Sequence, residues 1–231
     1  MKSFNKDLDR FYEILDMLRQ RVGGYRYLRS CTGRMDWPKQ GVYFFFEPGE
    51  TRVSSDAVRV VRVGTHAVSE GSKTTLWNRL ITHRGTTSGT GNHRGSIFRL
   101  HVGTALLATG EYPHTVRGSW GKGSSAPKEV KLVESGLEQK VSKYIGSMPF
   151  LWVRVEDVAG KNSLRKYIER NAVALLSNVV NKKQDQPSAN WLGHHCLHQD
   201  VQLSGLWNVD HVYEDYDPDF LVVFKDLAEK M

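Results

Sequence analysis

The chain has 231 residues, 39% of them apolar and 10% aromatic, enough for one large domain or two small ones. No stretch of about 18 apolar residues occurs, so no membrane-spanning helix is expected. Two cysteines make no disulfide framework, and the start of the chain lacks an apolar signal region, which together point to the cytoplasm. A net charge of +7 favours a polyanionic partner, most often nucleic acid, over charge that serves solubility alone.

In chain order, residues 5–22 predict a helix whose stripe is Leu8, Phe11, Leu15, Leu18 and Val22, ended by Gly23-Gly24. That stripe packs on the core or on a second subunit, and the core is the expected choice. Residues 24–40 read as loop, with a short extended piece around Tyr25, Tyr27 and Arg29. Pro38 precedes the first strand, where the chain must be extended. Gly41-Val42-Tyr43-Phe44-Phe45-Phe46 and Val58-Arg59-Val60-Val61-Arg62-Val63-Gly64 are rich in β-branched and aromatic residues. Pro48, Gly49, Ser54, Ser55 and Asp56 between them are turn residues, so the pair predicts an antiparallel hairpin. Thr74 or Thr75 then caps a helix carrying Arg79 and His83 four residues apart, on one face.

Residues 84–95 are Gly-rich and basic, a mobile surface loop whose Arg84 and Arg94 suit phosphate oxygens if they are not simply solvated. Residues 97–107 predict a helix. Residues 110–136 look like the least structured part, with Lys122 as a phosphate contact and Trp120 either stacking on a ligand or anchoring local packing. A helix over 137–145 and a third strand over 150–155 follow, the strand apolar enough for a central place in the sheet. Asn162 or Ser163 caps a helix over 164–181, on which Glu169 lies at the edge of the buried stripe. Asp217-Pro218 opens a last helix, over 217–229. The His194-His195-Cys196-Leu197-His198 run has no second ligand pair, so surface histidines are a better reading than a metal site.

The hairpin, the Arg79 helix and Glu169 together resemble the GIY-YIG nuclease superfamily. Gly41-Val42-Tyr43 is similar to its first motif, and Arg62-Val63-Gly64 stands where the second is expected, with Arg62 in place of a tyrosine. Arg79 resembles the catalytic arginine, and its spacing to His83 resembles the branch that contains restriction endonucleases. Glu169 resembles the metal-binding glutamate, and Asn190 the asparagine that follows it, with Asn178 and Asn181 as alternatives. A literal Tyr144-Ile145-Gly146 lies far from the hairpin and is treated as coincidence.

The resemblance implies an α+β fold, a small three-stranded antiparallel sheet flanked by helices. It spans residues 41–193, giving a nuclease-like domain over 37–195, an N-terminal extension over 1–36 and a C-terminal one over 196–231. It also implies Mg²⁺, with Mn²⁺ as a substitute, held by Glu169. Arg79 would meet the phosphate charge, and Tyr43, helped by His83, would take the proton of the attacking water. Arg62 would assist phosphate binding. DNA is the expected partner, and a cutter of both strands with one site per chain suits a homodimer joined through the N-terminal helix. The alternatives are a decayed nucleic-acid-binding module on the same fold, with Arg62 marking the loss, and an unrelated protein of incidental charge.

Overall fold

Four strands form one antiparallel sheet in the computed structural model, which describes residues 2–160, 162–180 and 185–231. They are β1 (Arg26–Tyr27), β2 (Gly41–Thr51), β3 (Val58–Gly64) and β4 (Pro149–Arg154), in the order β1-β4-β2-β3. The expected three strands are β2, β3 and β4. The fourth comes from the 24–40 segment, where Arg26 and Tyr27 pair with Phe150 and Pro149. Strand β4 therefore has a neighbour on each side, in keeping with its apolar run. Strand β2 is covered likewise, and every residue from Gly41 to Glu47 is buried.

The sheet's two faces differ because β3 carries a bulge. Phe45 pairs with Arg62 but Phe46 pairs with Val60, so Val61 is an extra residue. Strict alternation would put Val60 and Arg62 on one face. The bulge separates them. Val60 and Val63 join Val42, Phe44, Phe46, Leu151 and Val153 on an apolar face. Val61 instead joins Tyr43, Phe45, Phe150 and Trp152 on the opposite one, where Arg62 lies cross-strand from Phe45.

The apolar face is covered by α1 (Lys2–Arg21), α6 (Leu164–Leu176) and α8 (Phe220–Glu229). Phe11 of α1 is fully buried against Phe44, Phe220 and Phe224, with centroids 5.6–6.3 Å apart. Burying a ring of this size stabilises the fold by about 1.5–3 kcal/mol. The apolar stripe of α1 is thus used inside the chain and is not a dimer interface, which corrects that expectation. The other face is covered by α2 (Leu76–Arg84), α3 (Ile97–Thr109) and α5 (Lys128–Ser147).

Three further expectations change. The 110–136 stretch holds α4 (His114–Ser119) and the first half of α5, a 20-residue helix opened by Pro127. Within it Trp120 is a packing anchor, stacked on His93 at 3.8 Å with its Nε1 donating to Leu100 O. Helix α6 stops at Leu176, because Ser177 turns to extended backbone and its hydroxyl donates to Val212 O at 2.7 Å. Asn181 lies outside the described residues. Between α2 and α3, Arg94 points inward, forked onto Glu134 at 2.6 and 2.9 Å with only 2% of its side chain exposed. His93 is likewise buried on Glu138, so the 84–95 segment is tied to α5 rather than free. Finally, α7 (Gln199–Ser204) leads to the tail that runs along the outer edge of β3.

Candidate active site

Both motif glycines stand where no side chain fits. A Cβ on Gly41 would lie 2.5 Å from Val153 O, across the β2–β4 ladder. A Cβ on Gly64 would lie 2.3 Å from the Tyr43 hydroxyl, because Tyr43 is its cross-strand partner and lays its ring over it. The glycine thus makes the floor on which the tyrosine rests.

Helix α2 brings the next two groups. Its start is set by a capping box between Thr75 and Asn78 and by Leu76 N donating to Lys39 O. Leu76, Leu80 and His83 form its buried stripe. His83 is therefore a fully buried residue, and its Nε2 lies 2.7 Å from the Tyr43 hydroxyl. Its Nδ1 lies 2.8 Å from the Oγ of Ser96, the N-cap of α3, which also accepts from Arg99 N. Burial, and then Arg79, Arg62 and Arg99, hold the imidazole well below its usual range, so it is neutral at pH 7. Arg79 sits at the rim of the stripe, half-buried, with a 3.4 Å bond to Gly95 O and a buried Nε that has no partner among the described residues.

Arg62 enters from β3. It is buried, with Nη1 donating to Trp207 O at 2.5 Å and its guanidinium 5.0 Å from the Phe98 ring. Burial lowers its proton affinity, and the neighbouring Tyr43 and Glu169 oppose that. A guanidinium stays charged even so. Glu169 faces the same centre from α6, half-buried, with Oε1 accepting from Thr65 N at 3.2 Å. Burial pushes its carboxyl up, while Arg62, His211, the Thr65 N–H and Arg79 favour the ionised form. Two guanidiniums against one carboxylate leave the centre positive, which suits a phosphodiester.

Five expected residues thus come together: Tyr43, Arg62, Arg79, His83 and Glu169. Asn190 does not join them. It is exposed, beside Trp191 and Ser188, whose side chains bond Glu47 and Glu50 toward the far end of β2. Asn178 is engaged with Asp185 O and Ser204 O. Another asparagine, Asn208, is buried in the tail, and its amide both accepts from Val63 N and donates to Val63 O. With Trp207 N bonded to Val61 O, it closes the free edge of β3 beside Arg62 and Gly64. Ser96, Thr65 and Trp207 were likewise not foreseen. Ser96 is legible as a helix start, but its bond to His83 is not. Arg84 is half-buried, Lys122 is exposed, and Arg94 has its fork occupied by Glu134.

Comparison with known families matches residues 2–231 to one described as GIY-YIG domain. The chain belongs to the GIY-YIG family. The family match takes in both flanks that the sequence resemblance left out, including Asn208. The GIY-YIG family is one of endonucleases, generally dependent on a divalent metal. No curated protein and no solved structure matches the chain. Among the described residues no cluster of three His, Cys, Asp or Glu that could hold a metal occurs, the 194–198 histidine run included. No described helix is long and apolar enough to cross a membrane.

Proposed function

We propose that this protein is a divalent-metal-dependent endonuclease that hydrolyses DNA phosphodiester bonds at the centre lined by Tyr43, Arg62, Arg79, His83 and Glu169. The observation that carries this reading is the 2.7 Å bond between the Tyr43 hydroxyl and His83 Nε2, made beside two guanidiniums and one carboxylate. A neutral His83 that donates from Nδ1 to Ser96 presents its Nε2 lone pair to the phenol. Tyr43 then takes a proton from the attacking water as its own passes to His83. Arg62 and Arg79 sit where negative charge grows on the phosphate.

Glu169 fits one Mg²⁺, or Mn²⁺. Among the described residues only one of its oxygens accepts a hydrogen bond, and a hard cation that keeps several waters asks for few protein ligands. Such an ion supplies charge neutralisation at the phosphate and at the leaving oxygen. Asn208 holds the backbone on which Gly64 and Arg62 stand, and Arg84 and Lys122 are outer phosphate contacts. The Arg79–His83 spacing sides with a restriction-like role.

Tyr43 has no exposed surface, so substrate reaches its hydroxyl only after a neighbouring side chain moves. Arg79 is the least tethered of these. The same closure, with Arg62 where the family has a second tyrosine, favours the second reading, a binding module that has lost activity.

Plasmid cleavage with Mg²⁺ separates the two. The intact protein is expected to nick and then linearise plasmid. Tyr43→Phe and Glu169→Ala should each lose about 100-fold or more while still binding DNA. Binding without cleavage, in Mn²⁺ as well as Mg²⁺, establishes the decayed module.

A further inference from the structure

We infer that a second anion site lies at the C-terminal end of α2 and takes a phosphate of the DNA backbone away from the scissile bond. It is a cleft of about 570 Å³ whose cations are Arg29, Arg84 and Lys143. No carboxylate lines it, and none of the three cations has an ion-pair partner among the described residues. The hydroxyls of Thr86, Thr87 and Ser88 complete the lining. Arg52, Arg59, Arg94, Arg99 and Arg165, buried in the body of the protein, are each paired with a carboxylate, whereas these three cations line one cleft without one.

The cleft is built rather than accidental. Arg84 is held on both sides, with Nη1 donating to Cys31 O at 2.7 Å and its guanidinium 5.2 Å from the Trp77 ring. Its Nη2 has no protein partner among the described contacts. Arg29 lines the cleft opposite Gly146 of α5. A Cβ on Gly146 would lie 3.4 Å from the Arg29 Cβ, so the two backbones meet closely. Lys143, three residues earlier on α5, lies on the same face.

The assignment to DNA rests on the nuclease reading. Arg84 lies five residues beyond Arg79, about 7.5 Å along the same helix at 1.5 Å per residue. Five residues also turn the helix by about 140°, and a duplex carries a charge about every 1.7 Å of its axis, so a duplex that follows the surface around α2 brings backbone phosphates to the cleft. Contacts of this kind hold register and carry no sequence information.

The test uses the full chain, Arg29→Ala/Lys143→Ala, and labelled duplexes of unrelated sequence, with anisotropy read across a salt series. The dissociation constant should rise about tenfold for every sequence, and the slope of log affinity on log salt should become shallower by about 1–2. Single-turnover cleavage at saturating DNA should be unchanged, and Lys143→Glu alone should weaken binding further than Lys143→Ala. An unchanged affinity and slope overturns the site while leaving the nuclease reading intact. Cleft-dependent binding without cleavage by the intact protein fails that reading instead. Inorganic phosphate that displaces duplex from the intact protein, but not from the double variant, at concentrations too low to screen charge assigns the cleft to a small anion and overturns the DNA assignment.

Discussion

The sheet's two faces are built from the same three strands but hold different things. One face, from Val42 and Phe44 to Val153, is apolar throughout and is sealed by α1, α6 and α8. The other carries Tyr43, Phe45 and Glu47 at alternate positions of β2, and buried polar centres stand on it, two of them on β2 itself. One is the Tyr43–His83 centre. The other is Glu47, which accepts from Tyr144 and from the indoles of Trp191 and Trp207. The contrast shows a division of labour along a single strand. The dry face supplies stability that the polar face gives up by burying groups that would rather be in water.

The largest effect should come from joining the two motifs by one methyl group. Gly64→Ala puts a Cβ 2.3 Å from the Tyr43 hydroxyl, so the ring must leave His83 or the strand must shift. Cleavage should fall about 100-fold or more, and a circular dichroism melt will show whether the fold survives. A dry-face counterpart should do the reverse. Phe11→Ala is expected to cost about 3–5 kcal/mol in denaturant unfolding while cleavage per folded molecule stays near normal. Equal losses of activity from the two would erase the proposed division.

Ser96→Ala should be smaller and mixed. It removes the N-cap of α3, worth about 1 kcal/mol, and also the partner of His83 Nδ1. The expected signature is a modest fall in melting temperature with a larger fall in kcat. Restoring the hydroxyl with Ser96→Thr should recover most of both.

The smallest effect concerns acid. Burial, followed by His198 and Arg62, holds His101 at a pKa of about 4, and its Nε2 has no hydrogen-bond partner among the described residues. Between about 6.5 and 4 the unfolded chain binds a proton that the folded chain refuses, so this group's contribution to stability falls as pH falls. Buried Glu47 and Glu169, whose carboxyls are pushed up, work in the opposite direction over the acid range. A His101→Phe variant isolates the histidine. Its melts from pH 7 to pH 4.5 should decline less than those of the parent chain, and a parallel decline would remove His101 from the account.

The amino-acid sequence determined the hairpin, the order of helices and strands after it, and four of the residues that meet at the centre on their own elements. These features depend on local pattern: alternation in β2, a capping threonine before α2, and an Arg and a His four apart on one helical face. Glu169 was legible for the same reason, as the polar residue at the edge of an apolar stripe. Local pattern reached the fourth strand only as a short extended piece within a loop, because two residues join the sheet only where Phe150 and Pro149 lie beside them. It did not reach the bulge at Val61, since a period of two reads straight through an inserted residue, and that insertion decides that Arg62 faces Tyr43. Arg94 read as a free cation until Glu134, 40 residues away, claimed its fork. Asn190 and Asn208 are alike as letters, and only the path of the tail along β3 buries the second against Val63 while the first stays exposed. Tertiary structure decided what depends on partners distant in sequence, because a hydrogen bond or an ion pair is specified by two positions and the sequence pattern around either one describes only half of it.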